Sequence, residues 1–259
     1  MTIYKMVSRY FRKGSKKRGQ RSRRPTMSFS QRVLSVVKQT RELKYASFGA
    51  SKAILQNAVG QTDILSITPP IPIGTKTYER VGNKIQLMSC KITCIYNMNN
   101  ATGNGSQANG ALIRHQIIRQ KEIEDADQVV NQASFATNNL LENSGFYAGT
   151  LFDYMTSLNK DSFSSKKTIR TKLSGVNNIP SVAGGNNQSI DGSAGLNKII
   201  SYTLRFGKNG KDITFRNSGA NTPVNFPYFM MTPCHNAVTG ATLNQVDMQY
   251  LVEWKYYDA

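Results

Sequence analysis

The chain has 259 residues, a formal net charge of +18 and three cysteines. The length suits one large all-β domain or two ordinary ones. An odd, sparse cysteine count excludes a disulfide framework, and no apolar run approaches the roughly 20 residues that a membrane span needs.

The charge is unevenly placed. Residues 1–44 hold fourteen Lys or Arg against one acid, Glu42, whereas Tyr45–Ala259 hold nineteen against fourteen. Ten of the basic residues fall in Met1–Arg24: Lys5, Arg9, Arg12, Lys13, Lys16, Lys17, Arg18, Arg21, Arg23 and Arg24. A segment this charged and this poor in apolar residues cannot bury enough surface to offset the entropy of ordering, so it is expected to be disordered when free. Such a basic arm is commonly an interaction tail for nucleic acid. No apolar h-region lies in the first 26 positions, so no signal peptide is expected.

Pro25 closes the arm. Thr26–Lys44 has two readings. Apolar residues at Phe29, Val33, Val36, Val37 and Leu43, with Ser28 and Gln31 at capping-box spacing, fit a short basic amphipathic helix. An extended linker into the body fits equally well. Ser47–Gly60 is too rich in small and polar residues to assign.

From Asp63 the period is two. Ile64–Thr68 reads as a short strand closed by Pro69, Pro70 and Pro72. Lys84–Met98 is a long strand in which Met88, Cys90, Ile92, Cys94, Tyr96 and Met98 share one face. Ile85 and Leu87 have the opposite parity, which requires a bulge near Leu87–Met88. Asn99–Gly110 is a loop, Ala111–Arg119 a strand, and Glu122–Asn143 a polar stretch with room for a short helix. Lys166–Leu173 alternates, with Lys166, Arg170 and Lys172 forming a basic stripe that is either a solvated face or a phosphate-contacting one. After the Gly/Asn/Ser-rich loop Gly175–Leu196 comes a strand at Ile200–Phe206. Asn209-Gly210 reads as a hairpin turn with Lys211–Arg216 as its return strand. Tyr228–Thr232 is a short strand. Val246, Met248, Tyr250, Val252, Trp254 and Tyr256 line one face of the last. Eight or nine strands, long loops and no alternating helices predict an antiparallel sandwich or barrel.

No catalytic constellation emerges. The two histidines, His115 and His235, lack a nucleophile elbow. Cys90 and Cys94 lie about 13 Å apart along a strand, too far for one zinc ion or a disulfide. No metal, no cofactor and no enzymatic activity are expected.

The arm YKMVSRYFRKGSKKRGQRSRR, the segment ERVGNKIQLMSCKIT and the strand QYLVEWKYYDA, set in this layout, resemble the capsid proteins of circular Rep-encoding single-stranded DNA (CRESS-DNA, circovirus-like) viruses. The resemblance implies an eight-stranded jelly-roll capsid domain over 45–259 behind an arm and linker over 1–44. It also implies sixty copies in a T=1 icosahedral shell, with single-stranded nucleic acid, here DNA, as partner. Further implied are a nuclear localisation signal at Lys16, Lys17, Arg18, Arg21, Arg23 and Arg24, host import and cell-surface receptors, no membrane insertion, and residence in the virion and, during assembly, the host nucleus. A small RNA or satellite virus capsid and a cellular basic-tailed nucleic-acid-binding protein are the alternatives.

Overall fold

The computed structural model describes residues 28–30, 41–55, 59–99, 111–123, 135–142, 145–173, 197–236 and 245–258. The chain divides into two compact units, 1–40 and 41–259, and every described strand belongs to the second. The ten basic residues of the arm, the expected disorder of that arm and the loops 100–110 and 174–196 lie outside the described residues.

The body is built of antiparallel strands in two sheets. In chain order the strands are β1 (Leu43–Leu55), β2 (Ile64–Ser66), β3 (Lys84–Asn99), β4 (Ala111–Gln120), β5 (Phe163–Leu173), β6 (Asn197–Arg205), β7 (Lys211–Thr214), β8 (Phe229–Met231), β9 (Cys234–Asn236) and β10 (Gln245–Asp258). The first sheet runs β1-β10-β3-β6, with β7 also on β3. The second runs β2-β8-β4-β5, with β9 also on β4. The pairing is nested: first with last in β1 and β10, then β2 with β8, β3 with β6, and β4 with β5 at the centre. Among the described residues, no helix is long and apolar enough to cross a membrane.

Residues from both sheets meet in one core. The predicted inward face of β10 holds throughout: Val246, Met248, Tyr250, Val252, Trp254 and Tyr256 are all buried. Trp254 sits opposite Ala46 on one side and Cys90 on the other. Its ring packs edge-on to Phe226 at 4.8 Å, and its Nε1–H donates to the Ile67 carbonyl at 3.0 Å. Trp254→Phe should therefore cost about 1–3 kcal/mol, from the void and the orphaned carbonyl. Urea denaturation followed by circular dichroism checks this, and an unchanged midpoint would refute the packing role.

The predicted bulge in β3 is present. The register with β10 shifts so that Lys255 faces Ser89 and Tyr256 faces Leu87, leaving Met88 unpaired. The extra residue lets Ile85 and Leu87 join Cys90, Ile92, Cys94 and Tyr96 on the buried face.

Of the two readings of Thr26–Lys44, each holds in part among the described residues: Phe29 and Ser30 are helical, whereas β1 begins at Leu43, with Lys44 buried in it. The Lys44 ammonium is held by Asp258 at 2.7 Å and by the Glu79 carbonyl at 2.9 Å. Asn209-Gly210 is not a hairpin. β6 and β7 do not pair with each other; both lie antiparallel to β3, β6 along Ser89–Asn97 and β7 along Lys84–Leu87. The intervening turn interrupts one long edge. Gly210 has φ +71°, and a Cβ there would stand 2.8 Å from the Leu87 carbonyl oxygen and the Met88 sulfur, so glycine is required beside the bulge. Of the polar stretch Glu122–Asn143, in which a short helix was expected, residues 124–134 and 143 lie outside the described residues. The described helices in that connection are a 3-10 turn at Thr137–Asn139 and a short α-helix at Leu151–Met155.

That connection builds a second, smaller core on the far side of the second sheet. Phe135, Leu140, Leu141, Tyr147 and Leu158 cover Ile118, Phe163, Phe229 and Met231. As a result β4 is buried on both faces over most of its length.

Candidate nucleic-acid interface

The basic stripe expected on β5 does not persist as one surface. β5 is the edge strand of the second sheet, and its pairing with β4 slips between Ile117 and Ile118. Lys167 faces Ile117, Ser165 faces Ile118, and Lys166 is left over. A one-residue bulge cancels the alternation locally. Lys166 and Lys167, assigned to opposite faces by parity, consequently line the same cavity.

Arg170 is engaged elsewhere. Its Nε donates to the Tyr154 carbonyl at 3.1 Å and its Nη2 to the Met155 carbonyl at 3.4 Å. Arg114, directly opposite on β4, donates to the carbonyls of Asp153 at 2.9 Å and Thr156 at 2.5 Å. Two like charges side by side would repel; here both are directed at the carbonyl end of the short helix, where cations are favoured. Thr150 caps the other end in a capping box with Asp153. The helix is thus held at both ends, and Phe146, Leu151, Phe152 and Met155 stand exposed on and beside it. Lys172 is exposed on β5.

The cavity, of about 260 Å³, lies where β5 meets β6, the edge strand of the first sheet. Its walls are Lys166 and Lys167 on one side, Tyr202 to Phe206 on the other, and Tyr228. The Lys166 ammonium stands 5.7 Å from the centre of the Tyr228 ring, and Lys167 stands 5.8 Å from that of Tyr202. Lys211, at the start of β7, lies over Tyr228 at 5.1 Å and over Phe226 at 5.7 Å. Partial burial pushes the Lys211 pKa down, Tyr228 opposes this, and the charges of Arg119 and Lys166 add to the fall. The Arg119 Nε is buried without a hydrogen-bond partner. Among the described ion pairs, none involves Lys166, Lys167, Arg205, Lys211 or Arg119.

Lys167, Tyr202, Arg205, Phe206, Lys211 and Tyr228 were not singled out in the sequence. They come from four separate stretches and converge only through the sheet edges. The Lys166-Lys167 doublet carries no mark of the bulge, because a bulge is defined by the partner strand.

Tyr202 connects the cavity to the interior. Its hydroxyl lies 2.5 Å from His115 Nε2, and Tyr96 lies 2.7 Å from His115 Nδ1. His115 is fully buried between the sheets, and burial lowers its pKa to about 4. His235 is also fully buried, bonded to the Tyr147 hydroxyl. The three cysteines are buried free thiols, each pushed by burial up to about 12. Thiols this far from ionising are poor nucleophiles and poor metal ligands. Among the described residues, no three His, Cys, Asp or Glu cluster as a metal site would need.

No family model matches the chain, and no curated protein matches it.

Proposed function

We propose that this is a structural protein without enzymatic activity, a viral coat subunit. In this reading its body is an eight-stranded jelly roll that assembles into a small T=1 icosahedral shell. Its basic segment packages a single-stranded DNA genome. The observation that carries the reading is the nested strand order. A jelly roll is a long antiparallel hairpin rolled up so that its outermost strands pair first with last and its innermost pair sits at the tip. The pairs β1–β10, β2–β8, β3–β6 and β4–β5 have that order, and β7 and β9 are continuations of β6 and β8. Fold alone does not define function; the charge distribution adds the second support. A net +12 over 1–40 on a body of only +6 supports a polyanion-binding role for that segment. Sixty copies would carry roughly 720 such charges, enough to neutralise a strand on the order of a thousand nucleotides.

The domain boundary in this reading is the one between a basic arm with its linker and a body that begins at β1. Lys16, Lys17, Arg18, Arg21, Arg23 and Arg24 serve both import into the nucleus and contact with the genome. Self-association draws on exposed apolar groups, of which Leu151, Phe152 and Met155 lie on a pre-organised helix and Phe146 precedes it. Exposed apolar patches of this kind mark association surfaces.

The test is electron microscopy of the purified full-length protein beside a variant in which those six arm residues are glutamine. The wild type is expected to form uniform closed shells that protect nucleic acid from nuclease, and the variant to form shells with little nucleic acid. Dispersed monomers or dimers from the wild type would reject the coat reading in favour of a cellular binding protein. RNA recovered from the shells would reject DNA as the cargo.

A further inference from the structure

We propose that the cavity between the β5 and β6 edges is a binding site for one nucleotide unit of a single strand, holding its phosphate between Lys166, Lys167 and Lys211 and its base against Tyr202 and Phe206. This rests on the coat reading only for the source of the strand; the site itself belongs to the folded body and does not involve the arm.

Electrostatics identifies an anion. Lys166, Lys167 and Arg205 line the cavity, Lys211 stands with Lys166 over the Tyr228 ring of its wall, and Arg119 is close enough to Lys211 to disfavour its charge. No carboxylate pairs with any of them among the described ion pairs. Like charges gathered at one edge repel, and the aromatic faces of Tyr202, Phe226 and Tyr228 offset this only partly. A phosphate relieves the repulsion and gives charge-assisted hydrogen bonds. The bulge at Lys166 sharpens the case. It costs β5 a ladder position, and its effect is to turn two successive lysines into one cavity.

Shape and lining then select among anions. The cavity is smaller than the roughly 300–1,000 Å³ of sites for whole free ligands, which suits one unit of a polymer. Its lining includes aromatic side chains: Tyr202 and Phe206 are half-buried, not closed off in the core. Single-strand sites combine cations along the backbone with rings on which bases stack. A bare phosphate or sulfate would use the lysines and leave those rings idle.

Lysine acetylation of the full-length protein, read residue by residue by mass spectrometry, tests this without interference from the arm. The probe is 5′-phosphorylated dithymidylate, with inorganic phosphate and thymidine as controls and the exposed Lys160 and Lys172 as internal references. Acetylation of Lys166, Lys167 and Lys211 is expected to slow at least fivefold with the dinucleotide, while Lys160 and Lys172 are unchanged. In Lys167→Ala, protection of Lys166 and Lys211 should fall at least threefold. Equal rates with and without dinucleotide would overturn the proposal. Equal protection by inorganic phosphate would overturn the nucleotide assignment. Protection in a protein that forms no shells would leave this site standing and remove the coat reading; shells without protection would do the reverse.

Discussion

Arg80→Met should destabilise the body by about 3–5 kcal/mol, one of the largest losses expected from any single substitution. The Arg80 guanidinium is completely buried, yet among the described ion pairs no carboxylate within 4.0 Å compensates it. Burial pushes its pKa down, and Asp258 is the main group holding it up. The charge is instead surrounded by oxygen. Nε donates to the Ile71 carbonyl at 3.2 Å. Nη1 donates to the Gly82 carbonyl and to Asn83 Oδ1 at 3.1 Å. Nη2 donates to the Asn217 and Ala220 carbonyls at 2.9 and 2.7 Å. One flat face lies 4.2 Å from the centre of the Phe215 ring. The fork thereby ties the loop before β3 to the loop after β7, segments more than 130 residues apart in sequence. Each loop has bent its carbonyls inward toward a donor, and without that donor the carbonyls are buried and unpaired. Each carbonyl left dry costs about 1–3 kcal/mol, and several are orphaned at once, so a loss of about 3–5 kcal/mol is expected after partial relaxation. Lysine keeps the charge but lacks the planar five-donor fork, so Arg80→Lys should recover less than half of the loss. Trp254, the sole tryptophan, reports unfolding in urea. A loss under about 1 kcal/mol for Arg80→Met would show that the loops are held by something else.

Arg80 also illustrates what a sequence does and does not disclose. The strands that bury one full face against the core were legible, because burial imposes the period of two. β10 is the clearest, and in β3 even the bulge at Met88 could be inferred from the switch in parity. β1 was missed for a definite physical reason. Along its inward positions, Lys44, Ala46, Phe48, Ala50, Lys52 and Ile54, large apolar side chains are few. Its thirteen residues are strand because β10 offers thirteen partners; the information lies two hundred residues away. β7 failed in the opposite sense. Asn209-Gly210 is a strong local turn signal, but sixteen-residue β3 presents more edge than β6 covers, and the chain turns back onto β3. The candidate site was half legible. Basic residues on β5 were noted, but which of them point together depends on a slip against β4, and Arg170 is withdrawn by a five-residue helix too short for a periodic signal and marked locally by the capping pair Thr150 and Asp153.

Acidification should destabilise the body progressively between about pH 6.5 and pH 4, by up to about 3 kcal/mol for each of the two histidines. Both are fully buried, and both have folded-state pKa values lowered from 6.5 to about 4. Burial is the cause for His115. For His235 burial comes first and Arg114 adds to it, while backbone carbonyls at Thr150 and Gly149 and the charge of Asp153 pull the other way. The sign follows from which state takes the proton. As pH drops through 6.5 the unfolded chain binds protons on both imidazoles and the folded chain does not, so unfolding gains. The loss ends near pH 4, where the folded state is protonated as well. Each pKa unit is worth 1.36 kcal/mol, which sets the upper limit. The hydrogen bonds give the same direction. His115 sits between the Tyr96 and Tyr202 hydroxyls. A neutral ring needs one of them as donor and one as acceptor, whereas an imidazolium donates from both nitrogens and forces a hydroxyl to turn. Urea denaturation at pH 7, 5.5 and 4.5 measures the slope. The double variant His115→Gln, His235→Gln should be less stable at pH 7 yet nearly flat down to pH 4.5. Equal stability of the wild type at pH 7 and 4.5, or an undiminished slope in the double variant, would refute the histidine origin. The separation matters for the coat reading: a shell whose subunits carry this device loosens in mild acid through its own cores, with no change required at the contacts between copies.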